Sequence, residues 1–136
     1  MGDTVGAWAD AQPGEGPLVL VIDDDPHSLV ICDRTLQAAG YRTVTAASGA
    51  EGLARLDRLA PALVVLDLAM PGMDGFAVAR AIRARSGGDT LPILIFTGLS
   101  RASESGSRQA GGSAFCTKPI EPQRLVAEVR RLCPVG

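Results

Sequence analysis

The stretch "LVLVIDDDPHSL" (residues 18–29) runs five apolar residues directly into three consecutive aspartates and a proline. A continuous apolar run is typical of a strand that is buried on both faces of a parallel sheet. Asp25 stands before Pro26, and proline favours the first position of a helix while aspartate favours the cap that precedes it. We therefore predict a buried strand, then two aspartates at its end, and then a helix that Asp25 caps without acting as a metal ligand.

Short apolar runs alternate with helical patterns along the rest of the chain, as expected for an α/β fold. The predicted strands lie at 18–23, 41–47, 62–67, 91–98 and 113–119, and the third predicted helix contains Phe76, Ala79, Ile82 and Arg83. Between 99 and 112 an apolar stripe is nearly absent, and Gly106 disfavours a helix by roughly 1 kcal/mol relative to alanine. The pattern predicts a doubly wound, five-stranded parallel sheet with five helices on both faces, the fourth of them short or mobile.

Composition and charge argue against several classes of protein. The chain of 136 residues has a formal net charge of −2, which argues against a nucleic-acid-binding surface. No apolar run approaches the roughly 18 residues of a membrane span, and the three cysteines share no spacing typical of a disulfide framework or a zinc site. We expect a cytoplasmic protein with reduced thiols, a flexible arm at 1–16, one domain at 17–133 and a tail at 134–136.

Polar side chains stand where four of the predicted strands end, namely Asp23 and Asp24, Asp67, Thr97 and Lys118. Ligands bind beyond the carboxyl ends of the strands in open parallel sheets, so we expect these side chains to converge. Oxygen ligands without a nearby histidine or cysteine select a hard cation, Mg²⁺ or Mn²⁺. Lys118 and Thr97 can hold phosphoryl oxygens, so the group predicts phosphoryl transfer with one aspartate as the nucleophile.

Four short motifs carry a resemblance to a known family. These are "VIDD" after the first strand, "LVVLDLAMPGMDG" around the third, "IFTG" after the fourth and "FCTKP" after the fifth. Together they resemble the receiver domain of two-component response regulators, over roughly residues 17–133. The resemblance implies a flavodoxin-like sheet with the strand order 2-1-3-4-5.

The resemblance also implies which residues form the site. Asp67 would accept a phosphoryl group from the phosphohistidine of a histidine kinase or a histidine phosphotransfer protein. Asp23, Asp24, Asp67 and the backbone carbonyl of Ala69 would be the protein ligands of Mg²⁺, with Mn²⁺ as a possible substitute.

Four further residues would respond to the phosphoryl group or shape its surroundings, again by resemblance. Lys118 would pair with the phosphoryl group, Thr97 would turn to hydrogen-bond it, and Phe115 would rotate inward. The Lys118–Pro119 peptide bond is usually cis in this family, and a cis bond before proline lies only about 0.5–1 kcal/mol above the trans form.

The implied function is a phosphorylation-dependent signalling switch and not an enzyme. Phosphorylation would change the surface around the fourth helix, the fifth strand and the fifth helix of a monomer or weak homodimer.

Two other functions remain as alternatives. A haloacid-dehalogenase-type phosphatase also uses an aspartate nucleophile, a threonine, a lysine and Mg²⁺. Its nucleophile would be Asp23, but it requires a later acidic pair, which does not follow Lys118. The second alternative is a receiver-like interaction module that works without phosphorylation, although such modules usually lack parts of the site that this sequence retains.

Overall fold

A five-stranded parallel sheet forms the centre of the fold. The structure is a computed structural model and describes residues 16–70, 73–85, 87–97 and 111–135. The strands of the sheet are β1 (Leu18–Ile22), β2 (Arg42–Ala46), β3 (Leu63–Asp67), β6 (Ile93–Thr97) and β7 (Ala114–Thr117). Their order is β2-β1-β3-β6-β7, which is 2-1-3-4-5 when these five strands alone are counted in chain order. The predicted parallel sheet and its strand order are confirmed.

A second, very small sheet lies between β3 and the next helix. It pairs β4 (Ala69–Met70) with β5 (Met73–Asp74) in antiparallel fashion. The sequence predicted only a loop here, because two-residue strands carry no periodicity that a pattern could reveal.

Four helices lie in the described residues: α1 (Pro26–Ala38), α2 (Gly49–Leu59), α3 (Gly75–Arg83) and α4 (Pro122–Leu132). They correspond to four of the five predicted helices. The weak helix that the sequence predicted between 99 and 112 falls mainly on residues 98–110, which lie outside the described residues, as does almost all of the predicted arm at 1–16. Among the helices that are described, none is both long enough and apolar enough to cross a bilayer.

The core consists of two apolar clusters that share the strands. Successive strand residues point to opposite faces of a sheet, so alternate residues of β1 and β3 belong to different clusters. One cluster contains Leu20, Ile22, Leu66, Leu56 of α2 and Ile82 of α3, and the other contains Val19, Val21, Val65, Leu36 of α1 and Leu125 of α4. Every residue of β1 and β3 is buried, as their continuous apolar runs predicted. The three cysteines are free and buried.

A buried hydrogen bond joins two segments that are far apart in sequence. The hydroxyl of Tyr41, just before β2, donates to the carbonyl of Cys133, just after α4, over 2.6 Å. Only 3% of Tyr41 is exposed, and burial raises the pKa of its phenol. The hydroxyl therefore remains protonated and able to donate at neutral pH.

The substitution Tyr41→Phe tests this connection. It removes the hydroxyl while retaining the buried ring, so we expect the free energy of unfolding to fall by about 1 kcal/mol, the usual net value of an intramolecular hydrogen bond. Urea denaturation followed by circular dichroism measures the change. An unchanged unfolding midpoint in Tyr41→Phe would contradict a stabilising role for this bond.

Candidate functional site

Three carboxylates meet at the carboxyl edge of the sheet. Asp23 directly follows β1 and Asp67 is the last residue of β3, and only 2% and 4% of these residues are exposed. Asp24 is exposed. Each of the three aspartates offers a carboxylate oxygen within 4.8 Å of the others. Because β1 and β3 are parallel neighbours, their ends bring Asp23 and Asp67 together at one edge.

The donor set of this group fits a hard divalent cation. All three side chains supply oxygen, and carboxylate oxygens at this separation are the ligands that Mg²⁺ prefers in proteins. Neither histidine nor cysteine belongs to the group, so its chemistry favours Mg²⁺ or Mn²⁺ over zinc. The group could therefore hold such an ion between β1 and β3.

Lys118 supplies the positive charge of the site. It is the only lysine in the chain, and its Nζ lies 2.9 Å from Oδ2 of Asp23 and 3.3 Å from Oδ2 of Asp67. Burial alone would lower the pKa of the ammonium, but the hydrogen bond and charge of Asp23, together with the charge of Asp67, outweigh burial and raise that pKa. Lys118 is thus a cation at neutral pH and bridges two buried carboxylates.

Phe96 is a site residue that the sequence did not single out. Its ring lies below Lys118, with the Nζ atom 6.0 Å from the ring centroid, at the outer limit of a cation–π contact. In the sheet, Phe96 pairs with Asp67 on one side and with Cys116 on the other. The apolar pattern identified Phe96 only as a strand residue, because its contact with Lys118 depends on the path of β7.

Asp25 does not belong to the group of three aspartates and instead binds the start of α1. It is the N-cap of that helix, and its carboxylate accepts hydrogen bonds from the backbone N–H of His27 at 3.1 Å and from the Ser28 hydroxyl at 3.0 Å. Both bonds lower the pKa of the Asp25 carboxyl, and the bond from Ser28 has the larger effect. Its own backbone N–H donates to Oδ1 of Asp23 at 2.9 Å, which helps to orient that side chain.

The remaining predicted site residues lie near this edge of the sheet. Thr97 ends β6, and its side chain is outside what the structure describes; Ala69 begins β4, two residues after Asp67. Phe115 lies in β7, pairs with Ile95 and is partly buried against the cluster that contains Ile95. The Lys118–Pro119 peptide bond is cis.

Gly75 lets α3 begin directly against the backbone that carries Asp67. A Cβ atom at this position would lie 2.4 Å from Cα of Leu68 and 2.8 Å from the carbonyl oxygen of Asp67. The Gly75 N–H donates to the carbonyl of Leu68 at 3.2 Å. Because backbone cannot move aside as a side chain can, this close approach requires glycine and supports the position of Asp67.

Comparison with known proteins identifies the family. The sequence profile of the response regulator receiver domain matches residues 19–130. The chain is 33% identical to the DNA-binding dual master transcriptional regulator RpaA of Synechocystis sp. and covers 48% of it, using 85% of its own length. It is also 35% identical to the DNA-binding response regulator MtrA of Mycolicibacterium smegmatis. That match uses 82% of this chain and covers 48% of MtrA. The chain thus spans about half the length of these two relatives.

Two further comparisons involve shorter proteins. A 14.6 kDa protein of Leptolyngbya boryana is 34% identical, with 85% of this chain matching 88% of that one. Among solved structures, the chemotaxis response regulator CheY4 of Vibrio cholerae superimposes with a TM-score of 0.82 and 31% identity, over 86% of this chain and 98% of CheY4. The likeness therefore extends to both sequence and fold.

The protonation of Lys118 gives a test of the site's electrostatics. Because its pKa is raised in the folded state, we expect the single lysine Cε signal in NMR spectra to titrate above the ordinary value of 10.5 in metal-free buffer. The stabilisation from its ion pairs is then fully present at neutral pH and is lost as the pH rises through the folded-state pKa. The variant Asp23→Asn should lower the midpoint, and a wild-type midpoint at or below 10.5 would contradict the paired geometry.

Proposed function

The chain belongs to the response regulator receiver domain family, and we propose that it works as a signalling switch by accepting a phosphoryl group on Asp67. The observation that carries this proposal is the environment of Asp67. Its carboxylate is almost fully buried at the end of β3, belongs to the group of three aspartates and lies 3.3 Å from the only lysine. A nucleophile of an aspartyl-phosphate switch needs a positive charge beside it, which stabilises the charge that develops on the phosphoryl oxygens.

In the proposed step, a carboxylate oxygen of Asp67 attacks the phosphorus of a phosphohistidine. The new bond joins that oxygen to phosphorus, the bond between phosphorus and the imidazole nitrogen breaks, and its electron pair leaves with the imidazole. Asp67 then carries an acyl phosphate, which adds negative charge at the edge of the sheet. Lys118, already within 3.3 Å of Oδ2 of Asp67, is positioned to pair with a phosphoryl oxygen.

Asp23, Asp24 and Asp67, with the backbone carbonyl of Ala69, are the proposed protein ligands of Mg²⁺, and Mn²⁺ could replace it. When bound, the ion supplies positive charge that offsets the repulsion among the carboxylates and the charge on the phosphoryl oxygens. Asp23 accepts bonds from the Asp25 N–H and from Lys118, so its carboxylate is oriented before any ion arrives. That orientation supports a preorganised site.

The proposed response follows the phosphoryl group along β6 and β7. Thr97 would hydrogen-bond it and Phe115 would rotate inward, changing the surface formed by the β6–β7 connection, β7 and α4. We also propose that a fifth helix lies in the β6–β7 connection and completes a doubly wound fold with helices on both faces of the sheet. Phe115 is partly buried, so an inward rotation would lower its exposed fraction.

We propose a receiver domain at 17–133, with an arm at 1–16 and a tail at 134–136, acting in the cytoplasm as a monomer or weak homodimer. Its phosphodonor would be a histidine kinase or a histidine phosphotransfer protein. It would not act as an enzyme, and we expect it to contact neither DNA nor membrane directly.

Phosphorylation can be tested without knowing the kinase. Incubation with acetyl phosphate and Mg²⁺ should add the mass of one phosphoryl group to the intact protein, and peptide mapping should assign it to Asp67. Asp67→Asn should gain no mass, because an amide oxygen is too weak a nucleophile to form the acyl phosphate. Asp25→Asn is the matched control: it removes one aspartate charge from the segment after β1, keeps a residue that caps helices well, and should be phosphorylated like the wild type.

Two outcomes would contradict the proposal. Label that survives Asp67→Ala but is lost in Asp23→Ala would indicate a nucleophile of the haloacid dehalogenase kind. No mass gain with acetyl phosphate, phosphoramidate or a phosphorylated histidine kinase would favour an interaction module that works without phosphorylation.

Metal binding should be visible in thermal stability. A ligand that binds only the folded protein at ten times its Kd stabilises it by about 1.4 kcal/mol, so Mg²⁺ should raise the Tm by several degrees. The shift should be much smaller in Asp24→Asn, which removes a proposed ligand on the exposed side of the group. It should persist in Asp25→Asn, and an equal loss in both variants would argue for a general charge effect instead of a site.

A further inference from the structure

Arg83, the last residue of α3, joins two connections at the edge of the sheet opposite the site. Its Nη1 donates to the carbonyls of Gly88 and Leu91, both at 2.5 Å. Its Nε donates to the carbonyl of Gly111 at 3.0 Å, and Nη2 also contacts that carbonyl. The Ser113 hydroxyl lies 3.4 Å from Nη2. One guanidinium thus links α3 to the segment before β6 and to the segment before β7.

The geometry of the guanidinium suits this linkage. It carries five N–H donors in a rigid plane, so it can bind several carbonyls whose relative positions are then fixed. Gly111 has a φ of 102°, and a Cβ atom there would lie 2.7 Å from Nε of Arg83. The backbone at Gly111 is therefore shaped to approach the side chain of Arg83 closely.

The start of β7 is fixed at the same place. The Ser113 N–H donates to the carbonyl of Ile93 at 2.7 Å, and the Ser113 hydroxyl accepts from the Ile93 N–H at 3.0 Å. β7 itself has few means of setting its own register. It is a four-residue strand that, among the residues the structure describes, pairs with β6 alone, and Cys116 is its single buried residue. In such a strand the contacts at its start have a large influence on register.

The register of β7 determines where Lys118 lies, because Lys118 follows the strand directly. A slip of one residue would move Lys118 along the strand by about 3.3 Å and would turn Phe115 to the other face of the sheet. The distances of 2.9 and 3.3 Å from Nζ to Asp23 and Asp67 would not survive such a shift. A contact at the far edge of the sheet can therefore control the electrostatics of the site.

We propose that Arg83 is a positioning residue for Lys118: it fixes the start of β7 in the register that brings the Lys118 ammonium to Asp23 and Asp67. The consequence for phosphorylation rests on the function proposed above, whereas the effect on Lys118 does not. Arg83 contacts neither the carboxylates nor Lys118, so it acts through the strand and not in the chemistry itself.

The test uses the single lysine of this chain as a spectroscopic probe. With lysine labelled with carbon-13 and nitrogen-15, the Lys118 side-chain signals are recorded at pH 7 in metal-free buffer for the wild type and for Arg83→Gln. Arg85→Gln is the matched control, since it removes the same charge near the same end of α3 but loses contacts with Asp57 of α2 and the Ala81 carbonyl. The initial rate of phosphorylation by acetyl phosphate is measured in parallel.

We expect Arg83→Gln to move the Lys118 signals towards those of an unpaired lysine and to slow phosphorylation by up to about 100-fold, the cost of a misplacement of about 1 Å. Arg85→Gln should leave the signals and the rate as in the wild type. Arg83→Lys keeps the charge but loses the planar fork, so its Lys118 signals should lie between those of Arg83→Gln and the wild type. The signals of the added lysine are identified by their persistence in the double variant Arg83→Lys/Lys118→Arg. If Arg83→Gln does not fold, Arg83→Lys decides the question by the same signals.

A folded variant at position 83 with wild-type Lys118 signals would overturn the proposal, even if urea denaturation showed a loss of stability, because that combination means a purely structural role. An equal change in Arg85→Gln would also overturn it. Failure of the proposed function is recognised separately, since a wild-type protein that accepts no phosphoryl group still reports the position of Lys118.

Discussion

Asp23 and Asp67 are buried carboxylates at the ends of apolar strands, and burying them requires a compensating positive charge. Removing a charged group from water costs several kcal/mol unless it is paired and hydrogen-bonded. In the described part of the chain Lys118 contacts both carboxylates, and Asp23 also accepts a backbone N–H. Any arrangement of the sheet that separated Lys118 from the two aspartates would remove the ammonium that pairs with both of them, so the charge balance of this edge constrains the positions of β1, β3 and β7 together.

Lys118 meets this requirement from a strand that is not a neighbour of β3. β6 lies between β3 and β7, so β7 is two strand spacings, about 10 Å, from Asp67. The long aliphatic stem of the lysine bridges this gap, and the ring of Phe96 lies beneath its ammonium. The same reach makes the site sensitive to the register of β7, since the pairing depends on the side chain of one residue beyond the end of a short edge strand. Contacts therefore fix both ends of β7. Lys118, just after the strand, pairs with two carboxylates, and Arg83 binds the backbone just before the strand.

Much of the fold could be predicted from the sequence because strands buried on both faces consist of continuous apolar runs. The continuous apolar runs of β1 and β3 predicted strands that are covered on both faces, and every residue in them is buried. Polar residues at the ends of these runs predicted where a site would lie, because parallel strands share one carboxyl edge. The pairing of β4 with β5 and the hydrogen bond from Tyr41 to Cys133 gave no such signal. The first is too short for periodicity, and the second joins residues 92 positions apart through a single hydroxyl.

The sequence by itself determined the elements, their alternation, and the identity of the charged residues at the strand ends, since these follow from local pattern and from the geometry common to parallel sheets. It also separated Asp25 from its two neighbours, because capping depends on adjacent residues. Tertiary structure alone decided that Lys118 pairs with both Asp23 and Asp67, that Phe96 lies under it, and that Arg83 turns its guanidinium to carbonyls of two other segments. The pattern placed Arg83 in the third helix without indicating what it binds. Contacts of this kind join residues from different strands and connections, and their distances exist only once the sheet has set the register of each strand.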